Sequence, residues 1–247
     1  MPHMTLPLPT PPSDAFDDVA LFLDFDGTLV ELAPTPDSVQ VDPALAQLLD
    51  RLQARLSGRL AVVSGRGAAE VAGLLGSPAL MVSGSHGLER RTPNGRITAP
   101  AGPELAAVLA RLEAFASRHP GVLVEPKPFG AGLHYRRAPE AADAANALAR
   151  ELADAHGLVL QPGKMVAELR VGGADKGSAI AALMEEPDWK GARPVFLGDD
   201  VTDEAGFHAV ATLGGAGVLV GPERDTAARW RLPDVAAVHA WLAAAAA

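Results

Sequence analysis

Apolar and polar positions follow two distinct patterns along the chain. Continuous apolar runs, such as VALFLDF from Val19, RLAVVSG and RPVFLGDD, are typical of strands buried on both faces of a sheet. Between them, apolar residues three and four positions apart predict helices, as in the segment from Asp42 to Leu56, where Asp42 is suited to the N-cap and Pro43 to the first turn. Because strands and helices follow each other, the pattern predicts an α/β fold with a doubly wound, Rossmann-like parallel sheet.

The pattern changes between about Pro103 and Val171. A long helix, two strand-like runs around KPFGAG, a second helix and two further runs around QPGK follow each other there, and Gly and Pro at the turns predict hairpins. We therefore expect an inserted α+β cap domain over residues 103–171. It interrupts a core formed by residues 18–102 and 172–247, and the proline-rich residues 1–17 are expected to form a flexible arm.

The composition limits the kinds of partner and metal ligand that are expected for this protein. The formal net charge of -9 provides no general basic field, so neither nucleic acid nor an anionic membrane is an expected partner. Cysteine is absent, so a metal site would use oxygen or histidine ligands. No apolar run reaches the length of a membrane span and the first residues lack a signal-peptide pattern, so we expect a cytoplasmic protein. The sequence does not define the oligomeric state, and a monomer is the default expectation.

Polar side chains occur where several predicted strands end. In a doubly wound sheet, ligands bind beyond the carboxyl ends of the strands, where Asp24, Ser64 and Asp199 are expected to meet. Asp24 and Asp26 are separated by one residue, so one carboxylate can attack or hold a metal while the other handles a proton. Thr28 follows at the turn and offers a hydroxyl and an amide to an anion.

Two further segments suggest phosphate and metal binding. Lys176 opens a predicted helix in GADKGSAI and could neutralise a phosphate, and Arg66 in VVSGR lies near the start of another helix. The run FLGDDVTDE crowds acids, including Asp199 and Asp203, and a divalent cation would compensate their repulsion; oxygen ligands favour Mg²⁺. Each of these short patterns alone is more often an ordinary cap or turn. Their occurrence in order at successive strand ends favours a site.

The four segments DFDGT, SGR, DKG and GDDVTDE, in this order, resemble the phosphotransferases of the haloacid dehalogenase superfamily. The inserted segment resembles the large α/β cap of that superfamily. Within the superfamily, SGSHGLERR, EPKPFGAGLHYR and GKMVAELR resemble trehalose-6-phosphate phosphatases, and the resemblance runs from about Val19 to Leu242.

The resemblance implies an Mg²⁺-dependent hydrolysis of trehalose 6-phosphate through an aspartyl-phosphate intermediate, the final step of trehalose biosynthesis. Asp24 would be the nucleophile and Asp26 the general acid and base. The implied metal-site residues are Asp24, Asp26 through its main-chain carbonyl, Asp199 and, as an outer support, Asp203. The implied phosphate-binding residues are Thr28, Ser64 and Lys176.

Substrate specificity is expected to depend mainly on the cap. The candidate substrate-binding residues are Arg66, His86, Glu125, Lys127, His134, Arg136, Lys164 and Glu168. Strand alternation puts His134 and Arg136 on one face, and Lys164 and Glu168 on one face, where they could bind sugar hydroxyls. The alternative is a solvated sheet face with cross-strand ion pairs. For His86 we expect a positioning role rather than proton transfer.

Three other functions are compatible with parts of the pattern. The core segments also fit a phosphatase for sucrose phosphate or mannosyl-3-phosphoglycerate, and a non-catalytic sugar-phosphate sensor could share the fold. The presence of Asp24 and Asp26 argues against the sensor. A dinucleotide-binding oxidoreductase is not favoured, because LGGAGVLVG lacks the Gly-x-Gly-x-x-Gly spacing and occurs late in the chain.

Overall fold

The structure is a computed structural model, and it describes residues 7–12, 16, 18–33, 35, 38–77, 79–100, 105–163 and 165–246. The chain forms two compact units. The core unit contains the residues up to Thr98 and those from Asp175 onward, and the cap unit runs from Ala99 to Ala174. The core is thus assembled from two separate stretches of sequence.

The core unit is an eight-stranded sheet with helices on both faces. Its strands are β1 (Val19–Leu23), β2 (Leu60–Val63), β3 (Met81–Gly84), β4 (Glu89–Arg91), β5 (Ile97–Thr98), β10 (Arg193–Gly198), β11 (Ala216–Val220) and β12 (Trp230–Leu232). Its helices are α1 (Pro43–Arg55), α2 (Ala68–Leu75), α5 (Lys176–Met184), α6 (Glu204–Thr212) and α7 (Val235–Ala245).

The strand order is β12-β11-β10-β1-β2-β3-β4-β5. All neighbours from β12 to β3 are parallel, and β1 lies between β10 and β2. The chain therefore moves outward from β1 in both directions, which makes the carboxyl end of β1 a topological switch point. At the other edge, β4 and β5 add two antiparallel strands. The apolar pattern did not predict them, because both are short and neither is buried.

Alternating residues of β1 pack in two hydrophobic layers, one on each face of the sheet. Val19, Leu21 and Leu23 pack in the layer that contains the apolar residues of α1, α2 and α7. Ala20 and Phe22 point to the opposite layer, which contains those of α5 and α6. Both layers exclude water, so the strand reads as a continuous apolar run, and the doubly wound α/β prediction is confirmed.

Helix α1 begins where the sequence predicts it. The Asp42 side chain accepts a hydrogen bond from the Ala44 amide at 2.8 Å, and Pro43 occupies the first helical position, where its missing amide hydrogen costs nothing. The side chains of Leu45, Leu49 and Leu52 are buried against the sheet. The capping and apolar signals therefore agree along this helix.

The expectation of a flexible arm over residues 1–17 is wrong for the residues that contact the core unit. Phe16 is buried with its ring centroid 4.3 Å from that of Trp241, and the carbonyl of Pro9 accepts a hydrogen bond from the Arg231 amide at 3.0 Å. These residues therefore pack on the core unit. Residues 1–6, 13–15 and 17 of the predicted arm lie outside the described residues.

The cap unit has an antiparallel sheet of order β6-β7-β9-β8. Its elements are α3 (Ala106–Ala116), β6 (Leu123–Lys127), β7 (Gly130–His134), α4 (Ala142–His156), β8 (Val159–Gly163) and β9 (Val166–Arg170). The β6–β7 and β8–β9 hairpins confirm the turn predictions. Ala131, Leu133, Ala167 and Leu169 pack with both helices in a separate hydrophobic core. The opposite face of the sheet carries the charged residues of these strands.

Within the part of the chain that the structure describes, no helix has the length and apolar character needed to cross a membrane.

Candidate active site

The end of β1 places a buried carboxylate at the switch point. Asp24 is 4% exposed, and its amide donates to the carbonyl of Leu197 on β10 at 2.9 Å. The chain then turns at Gly27, whose φ is +79°. A Cβ atom there would come within 2.2 Å of the Asp199 carboxylate, so a glycine is required both by the backbone and by the approach of the acidic loop.

Lys176 joins two acids in the interior. It stands at the start of α5, where Asp175 and Ser178 form a capping box, and its side chain is 4% exposed. Nζ donates to Asp24 Oδ1 at 2.7 Å and to Asp203 Oδ1 at 2.6 Å. Burial by itself would lower the pKa of Lys176, but the carboxylates of Asp203 and Asp24 outweigh it and raise that pKa above its ordinary value. The lysine therefore carries a positive charge.

The acid run after β10 folds back on itself. Asp203 is fully buried, and its Oδ2 accepts hydrogen bonds from the amides of Asp199 and Asp200, both at 2.9 Å. Glu204 accepts a bond from the Ala227 amide at 2.8 Å and pairs with Arg224, which ties the start of α6 to the loop before β12. These contacts hold the Asp199 carboxylate close to Asp24.

Three carboxylates face one lysine in this cluster. Oxygen atoms of Asp24, Asp199 and Asp203 all lie within 4.8 Å of one another. Burial, followed by the neighbouring Asp203 carboxylate, raises the pKa of Asp199 to about 7. Burial also raises the pKa of Asp24 well above its usual range, against the opposing effect of Lys176. Negative charge is in excess, and an all-oxygen donor set of this kind suits a hard divalent cation.

The phosphate-binding candidates Thr28 and Ser64 follow the neighbouring strands β1 and β2. Thr28 is fully buried, and its Oγ1 has no hydrogen-bond partner among the described residues. Its amide donates to the Phe25 carbonyl at 3.4 Å, so only the hydroxyl of the two groups expected for anion binding is available. Ser64 is also buried after β2, and its Oγ accepts a bond from the Arg66 amide at 3.1 Å. A buried hydroxyl without a partner is costly unless a ligand satisfies it.

Asp26 and Arg66 form an ion pair that the sequence did not predict. Arg66 Nε lies 2.6 Å from Asp26 Oδ2, and Nη2 lies 3.0 Å from Asp26 Oδ1. The guanidinium also pairs with Glu70 on α2 and lies over the Phe25 ring, 5.7 Å from its centroid. In this structure Arg66 therefore contacts the expected acid–base residue, whereas the sequence suggested a contact with substrate. Asp26 does not join the acidic cluster through its carboxylate.

His86 lies in a turn that supports the Ser64–Arg66 loop. Ser85 and His86 both have positive φ values, 50° and 55°, which are uncommon for residues with a Cβ atom. The Ser85 amide donates to the Arg66 carbonyl at 2.8 Å and the His86 amide donates to the Ser64 carbonyl at 3.0 Å. The His86 ring packs so close to Gly65 that a Cβ there would lie 2.7 Å from it. This geometry agrees with a positioning role for His86.

The polar face of the cap sheet carries four of the predicted residues. His134 Nε2 lies 2.8 Å from Glu125 Oε2, and Lys127 Nζ lies 2.9 Å from Glu168 Oε1. Burial alone would raise the pKa of Glu125, but its hydrogen bond to His134 and the charge of Lys127 hold it below the ordinary value. The four side chains are half-buried and form cross-strand pairs, as the alternative interpretation of this face expected.

The two other predicted cap residues are Arg136 and Lys164. The alternation argument for Arg136 was wrong, because β7 ends at His134 and Arg136 lies exposed in the following turn. Lys164 lies outside the described residues, so its predicted pairing with Glu168 on one face stays a prediction.

Sequence reasoning missed several supporting residues. Glu70 is four positions after Arg66, and this helical spacing would have suggested their pairing. Glu89 accepts bonds from the Ala68 amide at 2.9 Å and from Ser85 Oγ at 2.8 Å, so it caps α2, whose own N-cap residue is a glycine. No sequence signal pointed to this cap or to the Arg224–Glu204 pair, because the partners are about 20 residues apart and lie in different elements of the fold.

The doubly wound core, with buried acids and a lysine at its switch point, defines a phosphohydrolase of the haloacid dehalogenase class. A family model described as trehalose-phosphatase matches residues 22–236. The chain belongs to the trehalose-phosphatase family, and it is an enzyme of this type.

Relatives agree with this assignment over nearly the whole chain. The trehalose-6-phosphate phosphatase of Escherichia coli (strain K12) is 40% identical over 242 residues, covering 97% of this chain and 90% of that protein. A probable trehalose-phosphate phosphatase of Sinorhizobium fredii (strain NBRC 101917 / NGR234) is 43% identical over 214 residues, covering 85% and 80%. The crystal structure of a trehalose-6-phosphate phosphatase related protein superposes with a TM-score of 0.77 at 28% identity, covering 91% of this chain and 95% of that one.

Proposed function

We propose that the enzyme hydrolyses trehalose 6-phosphate to trehalose and phosphate with Mg²⁺ as cofactor, and that the reaction passes through an aspartyl phosphate on Asp24. The single observation that carries this proposal is the family match over residues 22–236, which includes both the acidic cluster and the polar face of the cap sheet. The substrate named by the relatives is a sugar phosphate whose only charged group is the phosphate.

Asp24 is suited to the nucleophilic role. One of its oxygens is held by Lys176 at 2.7 Å, which orients the carboxylate. In the first displacement the other oxygen would form a bond to phosphorus while the bond from phosphorus to the sugar oxygen breaks. In the second, water would attack phosphorus, the bond to Asp24 would break and inorganic phosphate would leave. Positioning and charge neutralisation dominate such transfers.

Asp26 would supply a proton to the leaving sugar oxygen and then accept one from the attacking water. Because both of its oxygens are bonded to Arg66, it has to release the guanidinium at least in part before it reaches the substrate. Arg66 is therefore expected to influence turnover through Asp26. Thr28, Ser64 and Lys176 would bind the phosphoryl oxygens, consistent with the buried, unpartnered Thr28 hydroxyl.

Mg²⁺ would be held by Asp24, by the main-chain carbonyl of Asp26 and by Asp199, with Asp203 supporting them from its hydrogen bonds to the loop amides. When bound, the cation would neutralise the phosphoryl group and favour ionised carboxylates. The excess of acids over lysine supports this assignment. The Glu125, Lys127, His134 and Glu168 side chains are the candidates for binding sugar hydroxyls.

The proposal is tested by measuring phosphate release from trehalose 6-phosphate beside sucrose phosphate, glucose 6-phosphate and mannosyl-3-phosphoglycerate, with Mg²⁺ and with a chelator. We expect metal-dependent turnover with a strong preference for trehalose 6-phosphate. Asp24→Asn should abolish turnover and leave the circular dichroism spectrum unchanged. Full activity in that variant would refute the mechanism, and preference for another sugar phosphate would refute the substrate.

Binding of trehalose 6-phosphate without phosphate release would instead favour the sugar-phosphate sensor. Trapping of a phosphorylated protein by acid quench, followed by mass spectrometry, tests the intermediate directly. A mass increase of one phosphoryl group on the peptide that contains Asp24 is the expected result. Its absence during steady turnover would favour direct attack by water.

A further inference from the structure

The polar face of the cap sheet has a bare strip, formed by Gly130 and Gly132, along β7, which is one of its two inner strands. On β7, Gly130 and Gly132 alternate with the buried Ala131 and Leu133, so the two glycines belong to the polar face. In register, Gly132 lies between Glu125 on β6 and Glu168 on β9. Two carboxylates therefore flank a position that has no side chain.

The reason for a glycine differs between positions 130 and 132. At Gly130 an added Cβ would lie 2.1 Å from the main-chain oxygen of Leu169, so the backbone itself requires a glycine. At Gly132 the nearest atoms are side-chain atoms only, His134 Nε2 at 3.0 Å and Glu125 Oε2 at 3.1 Å. Since glycine weakens the interior of a strand, and the fold does not demand it at 132, the reason for it lies on the polar face.

The ion pairs on this face depend on the bare strip. Lys127 on β6 reaches Glu168 on β9 at 2.9 Å although β7 lies between the two strands. Strands two places apart in a sheet are separated by roughly 10 Å, so the lysine has to extend across the backbone of β7. His134 likewise meets Glu125 at 2.8 Å, and both of its contact atoms border position 132.

We propose that Gly132 is a specificity-determining residue: because it has no side chain, the His134–Glu125 and Lys127–Glu168 pairs can meet over the backbone of β7, where they bind the hydroxyls of an uncharged sugar ring. This inference rests on the proposed function, because it assumes that the polar cap face binds the sugar of a disaccharide phosphate. The two carboxylates can accept hydrogen bonds from ring hydroxyls, while Lys127 and His134 can donate. A Cβ at 132 would lie 3.0 Å from His134 Nε2 and 3.1 Å from Glu125 Oε2, and it would displace this pair.

The test compares Gly132→Ala with the unmodified enzyme on two substrates. For trehalose 6-phosphate we expect KM to rise by about tenfold or more, the range expected when hydrogen bonds to charged groups are lost. For p-nitrophenyl phosphate, which has no sugar hydroxyls, kcat/KM should stay within about twofold. This difference is one that a purely structural role would not produce.

Ala131→Gly is the matched control. It alters the same strand but removes a methyl group from the buried face, so it should lower the melting temperature and leave KM for trehalose 6-phosphate unchanged. An unchanged KM in Gly132→Ala, or an equal loss on both substrates, would overturn the inference. If the unmodified enzyme prefers another sugar phosphate, the proposed function fails separately, and the same comparison is made with that substrate.

Discussion

Replacing Lys176 with methionine removes the only cation that contacts the acidic cluster among the described residues. The Lys176 side chain is 4% exposed, and its ammonium group makes two short hydrogen bonds, at 2.7 Å to Asp24 and 2.6 Å to Asp203. Removing one partner of a buried ion pair costs about 3–5 kcal/mol, because the remaining charge stays buried without compensation. Since domains are stable by only about 5–15 kcal/mol, we expect a large fall in the free energy of unfolding of the metal-free protein.

This loss should depend on pH. With the lysine present, burial and neighbouring acids already hold the pKa of Asp24 and Asp199 above their unfolded values, for Asp199 at about 7. An acid with a raised folded-state pKa contributes stability that is full below its unfolded pKa and is lost as the pH rises through its folded pKa. The effect of Lys176→Met should therefore be largest above pH 7 and smaller near pH 5, where protons neutralise the carboxylates.

Urea denaturation followed by tryptophan fluorescence, at pH 5 and pH 8 in the presence of a chelator, measures this difference. Lys190→Met is the matched control, because Lys190 is exposed and should tolerate the same change within about 0.5 kcal/mol. Phosphate release by Lys176→Met should fall by about 10²-fold or more, as for loss of a charged group at a developing transition state. Equal unfolding free energies for the two variants at pH 8 would refute the reasoning.

Two further predictions concern the same site. Gly27→Ala places a Cβ on a residue with φ of +79°, within 2.2 Å of the Asp199 carboxylate, so Mg²⁺-dependent turnover should fall by more than about tenfold. Gly73→Ala is the control, because its Cβ meets nothing within 4 Å. Equal activity of the two variants would contradict the argument. Mg²⁺ should raise the melting temperature more at pH 8 than at pH 5.5, because the cation competes with the proton held on Asp199, whose pKa is about 7. Equal shifts of the melting temperature at both pH values would exclude this competition.

The α/β class and the positions of the core motifs were predictable from local sequence. A strand buried on both faces reads as an uninterrupted apolar run, and parallel strands direct their carboxyl ends to one edge, so Asp24, Ser64 and Asp199 could be grouped without coordinates. The cap hairpins were also predictable from local sequence, because Gly and Pro favour turns through their own backbone conformations. The short antiparallel strands β4 and β5 were not, because they lack an apolar pattern.

The sequence by itself determined which residue types stand at the strand ends and in which order, because that information is local and periodic. Only the tertiary structure decided which of them touch: Lys176 with Asp24, from positions 152 residues apart, and Asp26 with Arg66 in place of the acidic cluster. It also decided that Arg136 leaves the strand face and that Gly132 borders the His134–Glu125 pair. Side-chain contacts of this kind depend on loop paths and packing, which no local pattern encodes.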